Sequence, residues 1–149
     1  MTEQQIGAEK YLLQIRNTDR EITDMINRID ALRYKASGMG AIRYDKDRVQ
    51  TSPGDMLCDA VTDAIALEGR LYARYEHLAR MRERTERIIS LWNDDNNARM
   101  IEVYYLNRGS MGDVAKAIGC SYRHAYRIKI DALDEFSKTF AINCGKNEK

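Results

Sequence analysis

Tyr122, Arg123, His124, Tyr126, Arg127 and Lys129 fall within eight residues, and no acid follows until Asp131. On a helix, Arg123 and Arg127 stand one turn apart and project to one side. Guanidinium groups at that spacing suit phosphate oxygens and the O6/N7 edge of guanine, both of which a neighbouring carboxylate would compete for. Ser121 precedes them as a helix cap, and the N-terminal end of a helix offers backbone N–H groups to phosphate. The expected chemistry is recognition of duplex DNA in a major groove. Arg123 and Arg127 are the principal candidates, with Ser121, Tyr122 and His124 beside them. Tyr126 divides evenly between packing on a supporting helix and touching sugar or phosphate. Lys129 divides between a backbone phosphate contact and an idle solvent-facing side chain.

The elements that must hold these residues are a helix, a tight turn and a second helix. Val114, Ala115 and Ile118 share one face, Gly119 follows, and Ala125, Ile128, Ala132 and Leu133 form the inner face of the next helix. Ala115 is small where the two would cross, and Gly119 takes the left-handed conformation that ends the first helix. Ser110 with Asp113 predicts a capping box for that helix. A plainer reading, a glycine-ended helix followed by an ordinary basic surface helix, fits the same residues without a DNA role. The coincidence of small residue, glycine, cap and basic face favours the helix-turn-helix. Residues 98–107, with Met100, Ile101, Val103, Tyr104 and Leu106, are expected to be the supporting helix, closed by Gly109. The last helix is expected to continue past Leu133 and Phe136 toward Phe140.

Upstream, Ala8, Tyr11, Ile15, Thr18, Ile22, Met25, Ile29, Leu32 and Ala36 recur at spacings of three and four, which predicts one helix over about 2–36 with these residues as core. Thr2 and Gln5 make its capping box. Gly38 and Gly40 end it, and 37–51 reads as a loop. Its Arg43, Lys46 and Arg48 are offset by Asp45 and Asp47, so a solvated loop is expected rather than a contact site. Ser52, Pro53 and Asp55 announce a second long helix to about Trp92. Leu57, Val61, Ala64, Leu71, Tyr75, Leu78, Thr85, Ile89 and Trp92 give its stripe, flanked by Ile65, Tyr72 and Ile88. Glu68 and Arg82 interrupt it and are expected to pair or to fix register. Neither long helix can bury its stripe alone, so an antiparallel hairpin is expected, with any stripe left over driving dimerisation or receiving another protein's helix. Asn93–Asn97 is a cluster of turn-forming residues where a domain boundary is expected. The chain thus reads as all-α: a hairpin over 1–93, a helix-turn-helix domain over 97–142 and a polar tail over 143–149.

The segments DVAKAIGCSYRHAYRIKIDAL and DRVQTSPGDMLCDAV, the latter leading into a long charged helix, resemble phage and prophage transcription regulators of the RinA and ArpU type. The C-terminal half of those proteins resembles the promoter-reading region 4 of bacterial sigma factors. The resemblance covers most of the chain. It implies that the C-terminal domain binds a phage promoter region, and that the hairpin dimerises or contacts the RNA polymerase of the bacterial host. Met111 and Gly112 depart from it, since related sequences usually carry a bulkier or acidic residue there. That predicts a weaker start to the first motif helix.

Composition sets the limits. One proline, nine glycines and 32% charged residues favour helices. A net charge of +1 argues against bulk condensation of nucleic acid, but it hides an asymmetry. Residues 55–96 carry six Lys or Arg against nine Asp or Glu, and residues 97–149 carry nine against six, so positive charge gathers at the motif. No apolar run is long enough to span a bilayer and the first residues are too polar for a secretory signal, so a cytoplasmic protein without membrane contact is expected. Cys58, Cys120 and Cys144 are widely spaced, fit neither a metal site nor a disulfide framework, and read as reduced thiols. His77 beside Glu76, His124 in the motif and the Asp94-Asp95 pair build no nucleophile or metal cluster, and there is no glycine-rich phosphate loop. Neither an enzyme nor a cofactor is expected. Two other functions fit the same elements: a DNA-packaging recognition subunit like a phage small terminase, and a coiled-coil interaction protein with a degenerate motif.

Overall fold

Helices account for the regular structure of the computed structural model, which describes residues 1–37 and 53–144. They are α1 (Glu3–Ala36), α2 (Pro53–Ile89), α3 (Asp95–Ile101), which widens into a π-helical segment (Glu102–Leu106), α4 (Met111–Ile118) and α5 (Tyr122–Cys144). No strand occurs among the described residues, so the all-α expectation holds. The expected solvated loop with Arg43, Lys46 and Arg48, the Ser52 cap and the side chain of Cys144 lie outside the described residues.

Packing groups the chain into two compact units, Met1–Thr18 with Leu78–Lys149, and Asp19–His77. α2 ends at Ile89, three residues short of the expected Trp92, and the turn-forming run at 93–97 does not divide the packing, because the last turns of α2 and the first turns of α1 join the C-terminal helices in one core. Leu12, Ile15, Met100, Ile101, Tyr105, Val114, Leu133 and Phe136 are fully buried there. Tyr11 lies over Phe140 at 4.7 Å and beside Phe136 at 6.2 Å, and Trp92 meets Phe136 edge-on at 6.3 Å. Leu12, absent from the expected seam, is buried because this end of α1 is covered on more than one side. Thr85 is also buried, and its hydroxyl donates to the Met81 carbonyl at 2.9 Å, which meets its hydrogen-bonding need. The Thr2–Gln5 capping box forms, with Thr2 N–H on Gln5 Oε1 at 2.9 Å.

The second unit pairs residues 19–36 of α1 with residues 53–77 of α2. Arg33 bonds Glu68, and Arg74 lies 3.8 Å from Glu21, so positions rise along one helix as they fall along the other. The pairing is antiparallel. Ile22, Ile29 and Ala64 are buried, with Met25, Leu32 and Leu71 half-buried. The rest of the expected α2 stripe is not core here: Leu57, Val61 and Tyr75 are exposed, as are the flanking Ile65 and Tyr72. Apolar residues on this stretch of α2 spread over two adjacent faces, and one helix can cover only one of them.

Candidate nucleic-acid interface

Asp94 begins the supporting helix, its side chain accepting from the backbone of Asn96 at 2.9 Å and Asn97 at 3.4 Å. Two of the asparagines read as breakers therefore lie inside α3. Asn97 is buried and donates from Nδ2 to Glu135 Oε2 at 2.9 Å, fastening α3 to α5. After the π-helical segment the chain turns through Arg108, whose φ of 58° is left-handed. Gly109, expected to close the helix by its conformational freedom, serves another purpose. A Cβ there would stand 2.8 Å from the Val103 carbonyl oxygen, so close backbone approach requires glycine.

Ser110 opens α4 with both arms of a capping box: its Oγ accepts from Asp113 N–H at 3.2 Å, and its own N–H donates to Asp113 Oδ2 at 2.8 Å. The Ser110 hydroxyl also donates to Asp113 Oδ2 at 2.7 Å, and this bond, followed by that from the Ser110 N–H, holds the Asp113 carboxyl below its ordinary value. Met111 is buried beneath this turn. The start of α4 is thus tied down despite Met111 and Gly112. Its other end stops at Gly119, with φ 76° and ψ 36°, and the N–H groups of Gly119 and Cys120 both reach the Ala115 carbonyl at 2.9 Å. Ser121 Oγ then accepts from His124 N–H at 3.2 Å and caps α5. Val114, Ala115, Ala125 and Ile128 are buried between α4 and α5. These are the residues from which the sequence predicts a helix-turn-helix.

The outward start of α5 brings most of the predicted contact residues together. Ser121, Arg123, His124 and Arg127 line one open depression, and all four are exposed. Neither arginine has an ion-pair partner among the described residues, and α5 has no acid in its first turn. First-turn N–H groups, which a helix cannot satisfy internally, add positive potential at the same end. Tyr122 and Tyr126 are exposed and form an edge-on pair at 5.2 Å, their hydroxyls 3.3 Å apart. That hydrogen bond raises the Tyr122 phenol above its ordinary range.

Lys129 differs from both of its expected roles. Its side chain is only 19% exposed, with Nζ 2.9 Å from Glu9 Oε1 and 5.1 Å from the centre of the Tyr104 ring. Tyr105 donates to the same carboxylate at 3.4 Å, and burial pushes its phenol far up, Glu9 adding to the effect. Arg16 lies over Tyr104 at 4.6 Å and donates to the Tyr104 and Gly109 carbonyls at 2.9 and 3.1 Å. Gln5 reaches Asp134 at 3.2 Å. The N-terminal half of α1 is therefore a polar clamp on the motif, and Lys129 belongs to the clamp. No spacing in the sequence announces a pair between residues 9 and 129.

Ile130 is a residue that the sequence reading passed over. It is exposed on the arginine side of α5, three positions after Arg127 and seven after Arg123. That spacing was visible in the sequence, and its apolar surface suits a thymine methyl in a groove. Among the described residues there is no cluster of three His, Cys, Asp or Glu fit to hold a metal ion, and no helix long and apolar enough to cross a membrane. Comparison with known protein families, curated proteins and solved structures finds no match to this chain.

Proposed function

We propose that this chain is a sequence-specific DNA-binding transcription regulator of the phage and prophage RinA/ArpU type. In this reading α5 enters the major groove by its first turns, while the helical hairpin engages a protein partner, either a second copy or RNA polymerase. The observation that carries it is the contrast along α5: Arg123 and Arg127 are exposed without ion-pair partners among the described residues, whereas Lys129 is turned inward to Glu9. A merely solvated basic helix has no need of a clamp that holds its inner face against three other helices. Each arginine can grip guanine O6 and N7 in bidentate fashion, and the capped end of α5 can receive a phosphate. Tyr122, Tyr126 and His124 flank the arginines and supply hydrogen bonds and ring surface to sugar, phosphate or base edges.

Fluorescence anisotropy of duplexes tiled from the protein's own genomic neighbourhood, across a salt series, tests this. One duplex is expected to bind at least about a hundredfold more tightly than the rest. The Arg123→Ala/Arg127→Ala variant should lose that preference while remaining fully helical. Equal binding to every duplex, unchanged in the variant, contradicts the reading.

A further inference from the structure

We propose that the outer face of α2 in the Asp19–His77 unit is a self-association surface, on which a second copy of this chain packs antiparallel about a two-fold axis at Glu68. The proposal deepens the proposed function. It rests on the part that gives the hairpin a protein partner and is independent of DNA reading.

Val61, Ile65, Glu68, Tyr72 and Tyr75 recur at spacings of four, three, four and three, the signature of a coiled-coil seam. This seam lies beside the one α1 uses, because Ala64 and Leu71, buried and half-buried, each precede a seam residue by one position. Ile65 is 64% exposed, Tyr72 69% and Tyr75 62%. On α1, Ile26 is exposed, and with Ile22, Leu71 and Tyr72 it lines an apolar groove that widens the face. Together they present an exposed apolar patch of the kind that marks a protein interface. The outer flank carries Thr62 and Gly69, where two-stranded coils usually place charge. A Cβ at Gly69 would meet nothing within 4 Å, so no contact among the described residues requires glycine in mid-helix.

The pattern also selects its occupant. Reversed about Glu68, the seam maps onto itself to within one residue: Val61 falls opposite Tyr75, and Ile65 beside Tyr72. On each side of the axis a branched aliphatic residue meets a tyrosine. A parallel pairing sets Tyr72 on Tyr72 and Tyr75 on Tyr75, crowding one end and leaving the other loose. In an antiparallel two-fold contact each seam residue meets its reversed counterpart twice over, and here those counterparts are complementary in size in both halves. Glu68 is bonded to Arg33 within each copy, so it comes to the axis already paired with a cation. A single polar position of this kind fixes register at some cost in stability.

Sedimentation velocity of the full chain over a micromolar concentration series tests the proposal. The wild type is expected to be a dimer. Ile65→Glu and Gly69→Glu should each weaken association at least about tenfold, since both bring carboxylates beside the Glu68 pair. Gly69→Glu enters open space and is the better helix former, so it folds at least as well, which a circular-dichroism melt verifies. Gly69→Lys, which meets Glu68 instead, should leave association intact. In a background with Cys58, Cys120 and Cys144 changed to Ser, mild oxidation should cross-link Glu68→Cys to itself, and Val61→Cys only to Tyr75→Cys. A monomer at every concentration, a ring of more than two copies, a dimer indifferent to both glutamates, or Val61→Cys cross-linking to itself overturns the proposal. Anisotropy on the same samples separates the two readings, because a monomer that still selects one duplex sinks only the dimer.

Discussion

The start of α5 and the outer face of α2 are both exposed, yet they are exposed for opposite reasons. Beneath α5 Met100, Ile101, Tyr105, Val114 and Phe136 are fully buried, and the arginines left outside have no ion-pair partner among the described residues. On α2 the exposed residues are themselves core material, Val61, Ile65, Tyr72 and Tyr75, with half of their packing absent. A finished core with unpaired cations over it suits a polyanion met in solution. An unfinished core suits another protein surface. The contrast shows that exposure alone says little, and that the chemistry left exposed says what is to be bound.

That contrast can be broken first at the core beneath α5. Phe136→Ala should cost about 3 to 5 kcal/mol, since the ring is enclosed by Tyr11, Trp92 and Phe140, and urea denaturation measures it. A loss below about 1 kcal/mol means that this core is not complete and that the distinction between the two regions fails. Lys129→Ala should cost about 1 to 3 kcal/mol by leaving Glu9 half-buried without its cation, and should leave DNA affinity and its salt dependence unchanged. A drop in the salt slope instead returns Lys129 to the phosphate-contacting set. Gly119→Ala forces a side chain into a left-handed residue and should cost about 1 to 2 kcal/mol in thermal melts, locating the turn that aims α5. The smallest effect is expected from acid. The folded value of Asp113 lies below the ordinary 3.8, so its capping contribution is complete above that pH and fades as pH falls through the lowered value. Asp113→Asn should therefore flatten that part of the acid dependence of melting. An unchanged profile removes the capping box as its source.

Much of the motif was legible because its signals are local. Ser110 with Asp113, Gly119 and Ser121 are caps and stops whose partners lie within four residues, and each forms as the sequence predicts. The seam of α1 was legible for the same reason, through its three-and-four periodicity. What escaped is long-range or two-sided. Lys129 looks like its basic neighbours in sequence, and only the approach of Glu9 from the far end of the chain turns it inward. Gly109 reads as a helix stop, but a carbonyl six residues back makes it necessary. On α2 the periodicity was seen and its owner mistaken, because two overlapping stripes, 64/71 and 61/65/68/72/75, share one helix and the sequence does not say which of them α1 covers.

The most direct measurement is a titration of isotopically labelled protein with its preferred duplex, following the side-chain nitrogens of Arg123, Arg127 and Lys129 by NMR. The account predicts large shifts at both arginine Nε–H groups and at the first-turn amides of α5, with Lys129 Nζ unmoved in its pair with Glu9. Shifts at Lys129 with none at the arginines would contradict it, and would mean that α5 does not meet DNA by the face that its packing leaves open.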